Sequence, residues 1–123
     1  MSIPLVDIKK QFESIKDEVN PQVLKILSQG NFILGQEVEE FEKSFAQYLG
    51  AKHCIGVSSG SAALRLALRS LDIGPGAEVI TAANTFISTV LPILELGAKP
   101  VLADINPNTY QIDPLAIENS ITK

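Results

Sequence analysis

Four successive residues, Ser58, Ser59, Gly60 and Ser61, follow the short apolar run Cys54–Val57 and open a helical pattern. A strand that runs directly into a helix leaves the first helical amides without acceptors, and an anion can satisfy them. Gly60 lets a ligand approach the backbone, and the hydroxyls of Ser59 and Ser61 add donors, so the chemistry on offer is a phosphate cradle. Serine is also an ordinary helix cap, and taken alone this segment reads first as a cap. Phe86 is the second candidate. It follows Asn84 and Thr85 at the end of another apolar run, where its ring could stack on a flat ring held by the first loop. Packing beside Val90, as the first apolar residue of its helix, is an equal alternative. Asp104 ends a third run and could take a cation or a polar group, but beside Asn106 and Pro107 it reads as a turn former.

Other chemistries are excluded. No G-x-x-x-x-G-K-S/T motif is present and no G-x-G-x-x-G follows the first strand, which leaves room for a phosphate-bearing ligand smaller than a dinucleotide. The net charge of −4 and the scattering of ten basic residues argue against a nucleic-acid surface. Cys54 is the only cysteine, so no disulfide can close within the chain, and its apolar setting favours an inert thiol. His53, the only histidine, has no neighbours at metal-ligand spacing, so no metal site is expected. The opening MSIPLVDIKK lacks the apolar region of a signal peptide, and no run is long enough to cross a bilayer. The expected location is the cytoplasm.

The elements that must position these residues follow from periodicity. Ile8, Phe12, Ile15 and Val19 recur at helical spacing, and Asn20 with Pro21 predicts a new helix start carrying Val23, Leu24 and Leu27 as far as Gly30. GNFILG, Gly30 to Gly35, reads as a loop with exposed apolar residues. Val38, Phe41, Phe45 and Leu49 form one face of a further helix ended by Gly50, a stripe expected to pack in a core. Strands are predicted at Cys54–Val57, Glu78–Ala82 and Pro100–Ala103. Helices are predicted over Ala62–Leu71, over Thr85–Leu96 with a kink at Pro92, and from the cap-plus-proline pair Asp113 and Pro114. Arg65 and Arg69 on the Ala62–Leu71 helix read as a solvated stripe. Alternating strands and helices require parallel pairing, so the class is α/β, and ligands are expected beyond the carboxyl ends of the strands.

The segments VDIKKQFESIK, GNFILGQEVEEFEKSFAQYLGAKHCIGV, VSSGSAALRLAL, IGPGAEVITAANTFIST and LGAKPVLADINPNTYQIDPLAIENSIT together resemble the DegT/DnrJ/StrS family of nucleotide-sugar aminotransferases. The resemblance covers nearly the whole chain, with the blocks in order; Ser61 departs from the family's usual threonine but keeps the hydroxyl. It implies a three-layer, parallel-sheet fold of the fold-type I pyridoxal 5'-phosphate (PLP) transferases, usually a homodimer with sites at the subunit interface. Residues 1–123 would be the amino-terminal part of an incomplete large, PLP-binding domain, with 1–50 a helical lead-in and 51–123 the βαβαβα start of the sheet. Gly60, Ser61 and Ala62 match positions that contact the cofactor phosphate, Phe86 matches the aromatic stacked on the pyridine ring, and Gly30–Gly35 matches a segment near the nucleotide-sugar site.

The family's Schiff-base lysine and the acid on the pyridine nitrogen come after the last residue here. No catalytic residue is therefore assigned within the chain, and the fragment is expected to be inactive alone. Lys52 and Lys99 precede strands, at the wrong edge of the sheet, and the other lysines are no better placed. An anion at a helix start contributes up to ~2 kcal/mol and an aromatic stack about 0.5–1.5 kcal/mol. That sum is below the ~4 kcal/mol of a millimolar dissociation constant, so the fragment should scarcely hold PLP. In fold-type I enzymes later strands lie between the first two, so Cys54–Val57 would lack its neighbours and the isolated chain is expected to fold poorly. The function implied is amino transfer, typically from glutamate, to a keto-sugar nucleotide. The alternatives are a PLP-dependent sugar dehydratase, in which histidine replaces the lysine, and a non-catalytic binding or regulatory module on the same scaffold.

Overall fold

The computed structural model describes residues 4–122, which fall into two compact units divided between Gly56 and Val57. Helix α1, Ile8–Gln29, starts where Asp7 accepts a hydrogen bond from the Lys10 amide at 2.9 Å and ends at Gly30 in the left-handed conformation. The new start expected at Asn20 and Pro21 does not occur; Pro21 lies inside one continuous helix. An interior proline costs about 3 kcal/mol. Breaking the helix and nucleating another costs about 4 kcal/mol for a nucleation constant near 10⁻³, so continuing is the cheaper course. Helix α2, Gln36–Leu49, follows the Gly30–Gly35 loop and is closed by Gly50.

The core expected along α2 is corrected by the structure. Phe41, Phe45 and Leu49 are exposed, and Phe41 and Phe45 stack on each other with ring centroids 5.5 Å apart. Ala46 is buried, and α1 buries no residue. The stripes are apolar, but nothing among residues 4–56 covers them. The strand expected at Cys54–Val57 does not form either. A strand needs a partner ladder, and the Gly56 amide instead donates to Glu42 of α2 at 2.6 Å.

In the second unit, α3 spans Gly60–Ser70, β1 Glu78–Ala82, α4 Leu91–Glu95, β2 Lys99–Ala103 and α5 Pro114–Ser120. Strands β1 and β2 pair in parallel, Glu78 with Lys99 through Ala82 with Ala103, which establishes the α/β class. Lys99 opens β2 by donating its amide to the Ala77 carbonyl at 2.9 Å. Alternation then turns the Pro100 position, which has no donor, away from β1, as an edge strand allows. The single helix expected over Thr85–Leu96 is instead a 3-10 turn, Ile87–Thr89, followed by α4. Pro92 stands in the first turn of α4, where no amide donor is needed, so it begins a helix rather than kinking one. Gly97 ends this segment at φ 75°, and a side chain there would also meet Pro75 at 3.2 Å. Ile93, Ala98 and Ala103 form the buried apolar centre of this unit. Asp113 caps α5 by accepting from the Leu115 amide at 3.0 Å. Among the described residues no helix is long and apolar enough to cross a membrane.

Candidate functional site

The residues with chemical potential gather beyond the carboxyl end of β1 and at the start of α3. Ser59 is extended, and its hydroxyl accepts from the Ala62 amide at 3.2 Å while its carbonyl accepts from Ala63 at 3.0 Å. Ser59 is thus a helix cap, as the ordinary reading has it. The cap accounts for only one of the early amides: those of Gly60 and Ser61 have no acceptor within the helix. The Ser59 oxygen accepts a bond and still has its own proton to donate. A Cβ built on Gly60 would meet nothing within 4 Å. The space over that residue is open to a ligand, not filled by protein.

Phe86 stands on the segment that leaves β1, between Ala82 and the 3-10 turn. Its backbone is extended, its carbonyl accepts from the Thr89 amide at 2.9 Å, and its side chain is 75% exposed. An open, mainly apolar depression of about 500 Å³ is lined by Gly60, Ser61 and Phe86 together with Ala63, Leu64, Ser88 and Thr89. The structure therefore brings the loop and the aromatic to one place. Ala62 lines an adjoining groove of about 260 Å³ with Ser58, Ser59, Arg65, Leu91, Pro92 and Glu95. Arg65 lies 3.7 Å from Glu95 with both side chains about half exposed, consistent with a solvated stripe.

Ser88 and Thr89 were not singled out by sequence reasoning. The signal was there: Thr85 and Thr89 are four residues apart, the spacing of neighbours on a helical surface, and their hydroxyls meet at 2.9 Å. Within a single helix expected over Thr85–Leu96, the pair does not stand out from the apolar residues around it. Asp104 accepts from the Ile105 amide at 2.8 Å, and its carbonyl accepts from Asp113 at 3.0 Å. It is a turn former. Lys99 is paired with Glu78 at 2.6 Å, at the amino end of the strands.

In the first unit, Phe32, Ile33 and Leu34 of the Gly30–Gly35 loop are exposed as expected, and Leu34 adopts φ 50°, an uncommon conformation for a branched residue. His53 and Cys54 border a separate depression with Glu39, Glu42, Lys43 and Lys52. Among the described residues no group of histidine, cysteine and carboxylate side chains could hold a metal ion.

Helix-start amides without helical acceptors and an exposed aromatic ring thus stand together beyond the carboxyl end of β1. The sequence matches the DegT/DnrJ/EryC1/StrS aminotransferase family over residues 13–123. The chain belongs to this family. The dTDP-3-amino-3,6-dideoxy-alpha-D-galactopyranose transaminase of Aneurinibacillus thermoaerophilus is 47% identical over 120 residues, which cover 98% of this chain and 33% of that protein. The UDP-2-acetamido-2-deoxy-3-oxo-D-glucuronate aminotransferase of Pseudomonas aeruginosa is 42% identical with the same coverage. Among solved structures, DesV of S. venezuelae matches with a TM-score of 0.93 at 40% identity, covering 98% of this chain and 32% of its own. Ntda of Bacillus subtilis, solved with bound cofactor PMP, matches with a TM-score of 0.88 at 36% identity, covering 98% of this chain and 28% of its own. The chain spans about a third of the length of the curated relatives it matches.

Proposed function

We propose that residues 1–123 are the amino-terminal part of the cofactor-binding domain of a PLP-dependent aminotransferase that acts on a keto-sugar nucleotide, with an amino acid such as glutamate as donor. The observation that carries this reading is the depression shared by Gly60, Ser61 and Phe86 in a chain of this family. The residues fit the cofactor. The amides of Gly60 and Ser61, with the hydroxyls of Ser59 and Ser61, are donors for a phosphate dianion at the positive end of α3. Ala62 contributes through Ser59, whose hydroxyl its amide holds in place. The exposed Phe86 ring offers a face for a pyridine ring and shields it from water. Bound there, the cofactor supplies an electron sink for moving an amino group.

The lysine required for transfer is not, in this reading, among residues 1–123. Lys99 is the one lysine before Lys123 in the second unit, and it stands at the amino end of β2, a strand length of ~13 Å from the carboxyl end near which Phe86 lies. The lysine and its partner acid belong to the remainder of a longer protein. That protein is a homodimer in the cytoplasm, and the apolar Gly30–Gly35 loop lies near its nucleotide-sugar site.

The test uses the full-length protein. It should purify with PLP or take it up, and glutamate should convert the bound PLP to PMP with the accompanying loss of visible absorbance. A keto-sugar nucleotide should then restore the PLP form. Failure to bind PLP would overturn the reading. Binding without a glutamate half-reaction, but with loss of water from a sugar nucleotide, would replace it with the dehydratase. Binding with neither reaction would leave a regulatory module.

A further inference from the structure

Phe86 is 75% exposed, so packing does not fix the direction of its ring. The backbone that carries it must do so. On one side, the Ala83 amide donates to Ala103 of β2 at 2.9 Å, and beyond it the Thr85 amide makes a longer hydrogen bond to the Ala82 carbonyl at 3.4 Å. On the other side, the 3-10 turn Ile87–Thr89 is a single turn, and such turns have poor hydrogen-bond geometry. One further tether spans the aromatic. The hydroxyls of Thr85 and Thr89 meet at 2.9 Å in a part-buried position, and Thr89 also donates its amide to the Phe86 carbonyl at 2.9 Å. The hydroxyl bond therefore closes a loop that has Phe86 inside it, alongside the 3-10 turn's own backbone bond from Thr89 to the Phe86 carbonyl. Both threonines are β-branched, so few rotamers compete with the one that makes this bond.

We propose that the Thr85–Thr89 hydroxyl pair is a positioning device that holds Phe86 at the angle needed to lie against the cofactor ring. The inference rests on the reading of Phe86 given above. Neither threonine need touch the ring; the pair acts through Phe86.

The experiment is titration of the full-length apoprotein with PMP, which makes no bond to a lysine and so reports the non-covalent contacts, the stack among them. The dissociation constant and the induced circular dichroism of the bound ring are both read. Thr85→Val removes the hydroxyl at constant shape and should weaken PMP roughly fivefold, the loss of one ordinary hydrogen bond, and lower the induced dichroism. Thr85→Ser keeps the hydroxyl and should behave as the parent. If Thr85→Val does not fold, Thr89→Val breaks the same bond from the other side. In a Phe86→Leu background, either valine substitution should have no further effect. Equal loss in the parent and Phe86→Leu backgrounds, or no loss in the parent, overturns the proposal while the stacking role of Phe86 stands. No effect of Phe86→Leu by itself removes the stacking reading and this inference with it.

Discussion

Ile93 and Phe41 both belong to apolar stretches of helical sequence, yet Ile93 is 1% exposed and Phe41 56%. Ile93 lies in the unit that contains β1 and β2, where α4 is part of the crossover between two parallel strands and has a sheet to pack on. Phe41 lies in a unit of two helices, whose one buried residue among the described residues is Ala46. The difference teaches that an apolar stripe identifies the face that must be covered but not the element that covers it. It also explains where the candidate site stands. Gly60, Ser61 and Phe86 belong to the unit that has its own buried centre, so their geometry is set within that unit.

The largest test of this contrast is a pair of truncations in the full-length protein, followed by denaturant unfolding. Ile93→Ala should lower stability by about 2–5 kcal/mol, the range for emptying a packed aliphatic site. Phe41→Ala should cost about 1 kcal/mol or less if its face is open to water, the order of a single methylene's transfer free energy. A loss at Phe41 as large as at Ile93 would show that the rest of the protein covers α2, and would break the contrast for the whole molecule while leaving it intact for residues 4–122.

Much of this was legible from the residues. The β1 strand was marked by its β-branched run between DIGPG and NTF, α5 by the Asp113–Pro114 pair, and the Gly30–Gly35 loop by its glycines. The Ser59 cap was legible because helix-start chemistry is local, and the amides of Gly60 and Ser61 lack helical acceptors whatever lies farther off. That Cys54–Val57 goes unpaired was legible only through the family resemblance, which implies that its sheet neighbours come later. Two features were not legible, each because the deciding quantity is not local. Whether α2 buries its stripe depends on a covering surface. The passage of α1 through Pro21 depends on comparing the cost of proline with the cost of a second nucleation. The Thr85–Thr89 pair was hidden for a different reason, since a strand end, a 3-10 turn and a short helix produce the same apolar spacing as one longer helix.

A smaller effect sharpens the division of labour within the site itself. Gly60→Ala adds a methyl that meets no protein atom, and the helical position favours alanine. Stability should be unchanged or rise by up to ~1 kcal/mol. If the serines and Gly60 only cap a helix, nothing else should change. If they form a cradle, the methyl intrudes on the phosphate and affinity for PMP should fall about tenfold, the cost of losing a hydrogen bond to a charged group. Opposite movements of unfolding midpoint and ligand affinity would separate cradle from cap, and parallel movements would return Gly60 to the ordinary reading.

The smallest expected effect lies at the far end of the same strands. Glu78 is held below the usual carboxylate range chiefly by its hydrogen bond with Lys99, then by the hydroxyl of Thr122, with the Lys99 charge adding to both. A carboxyl whose folded pKa is depressed stabilises the fold above its unfolded pKa, and the contribution fades as the pH falls through the folded value. Lys99 is largely exposed, so water and salt screen the pair and the effect is modest. Glu78→Gln should therefore lower the unfolding midpoint slightly at neutral pH, and the gap from the parent should close in acid and shrink in high salt. A gap that persisted in acid would mean that Glu78 supports the amino end of the sheet by packing rather than by charge. That end would then resemble the carboxyl end near Phe86, where the bonds that hold the segment are between uncharged groups and should not respond to pH in this range.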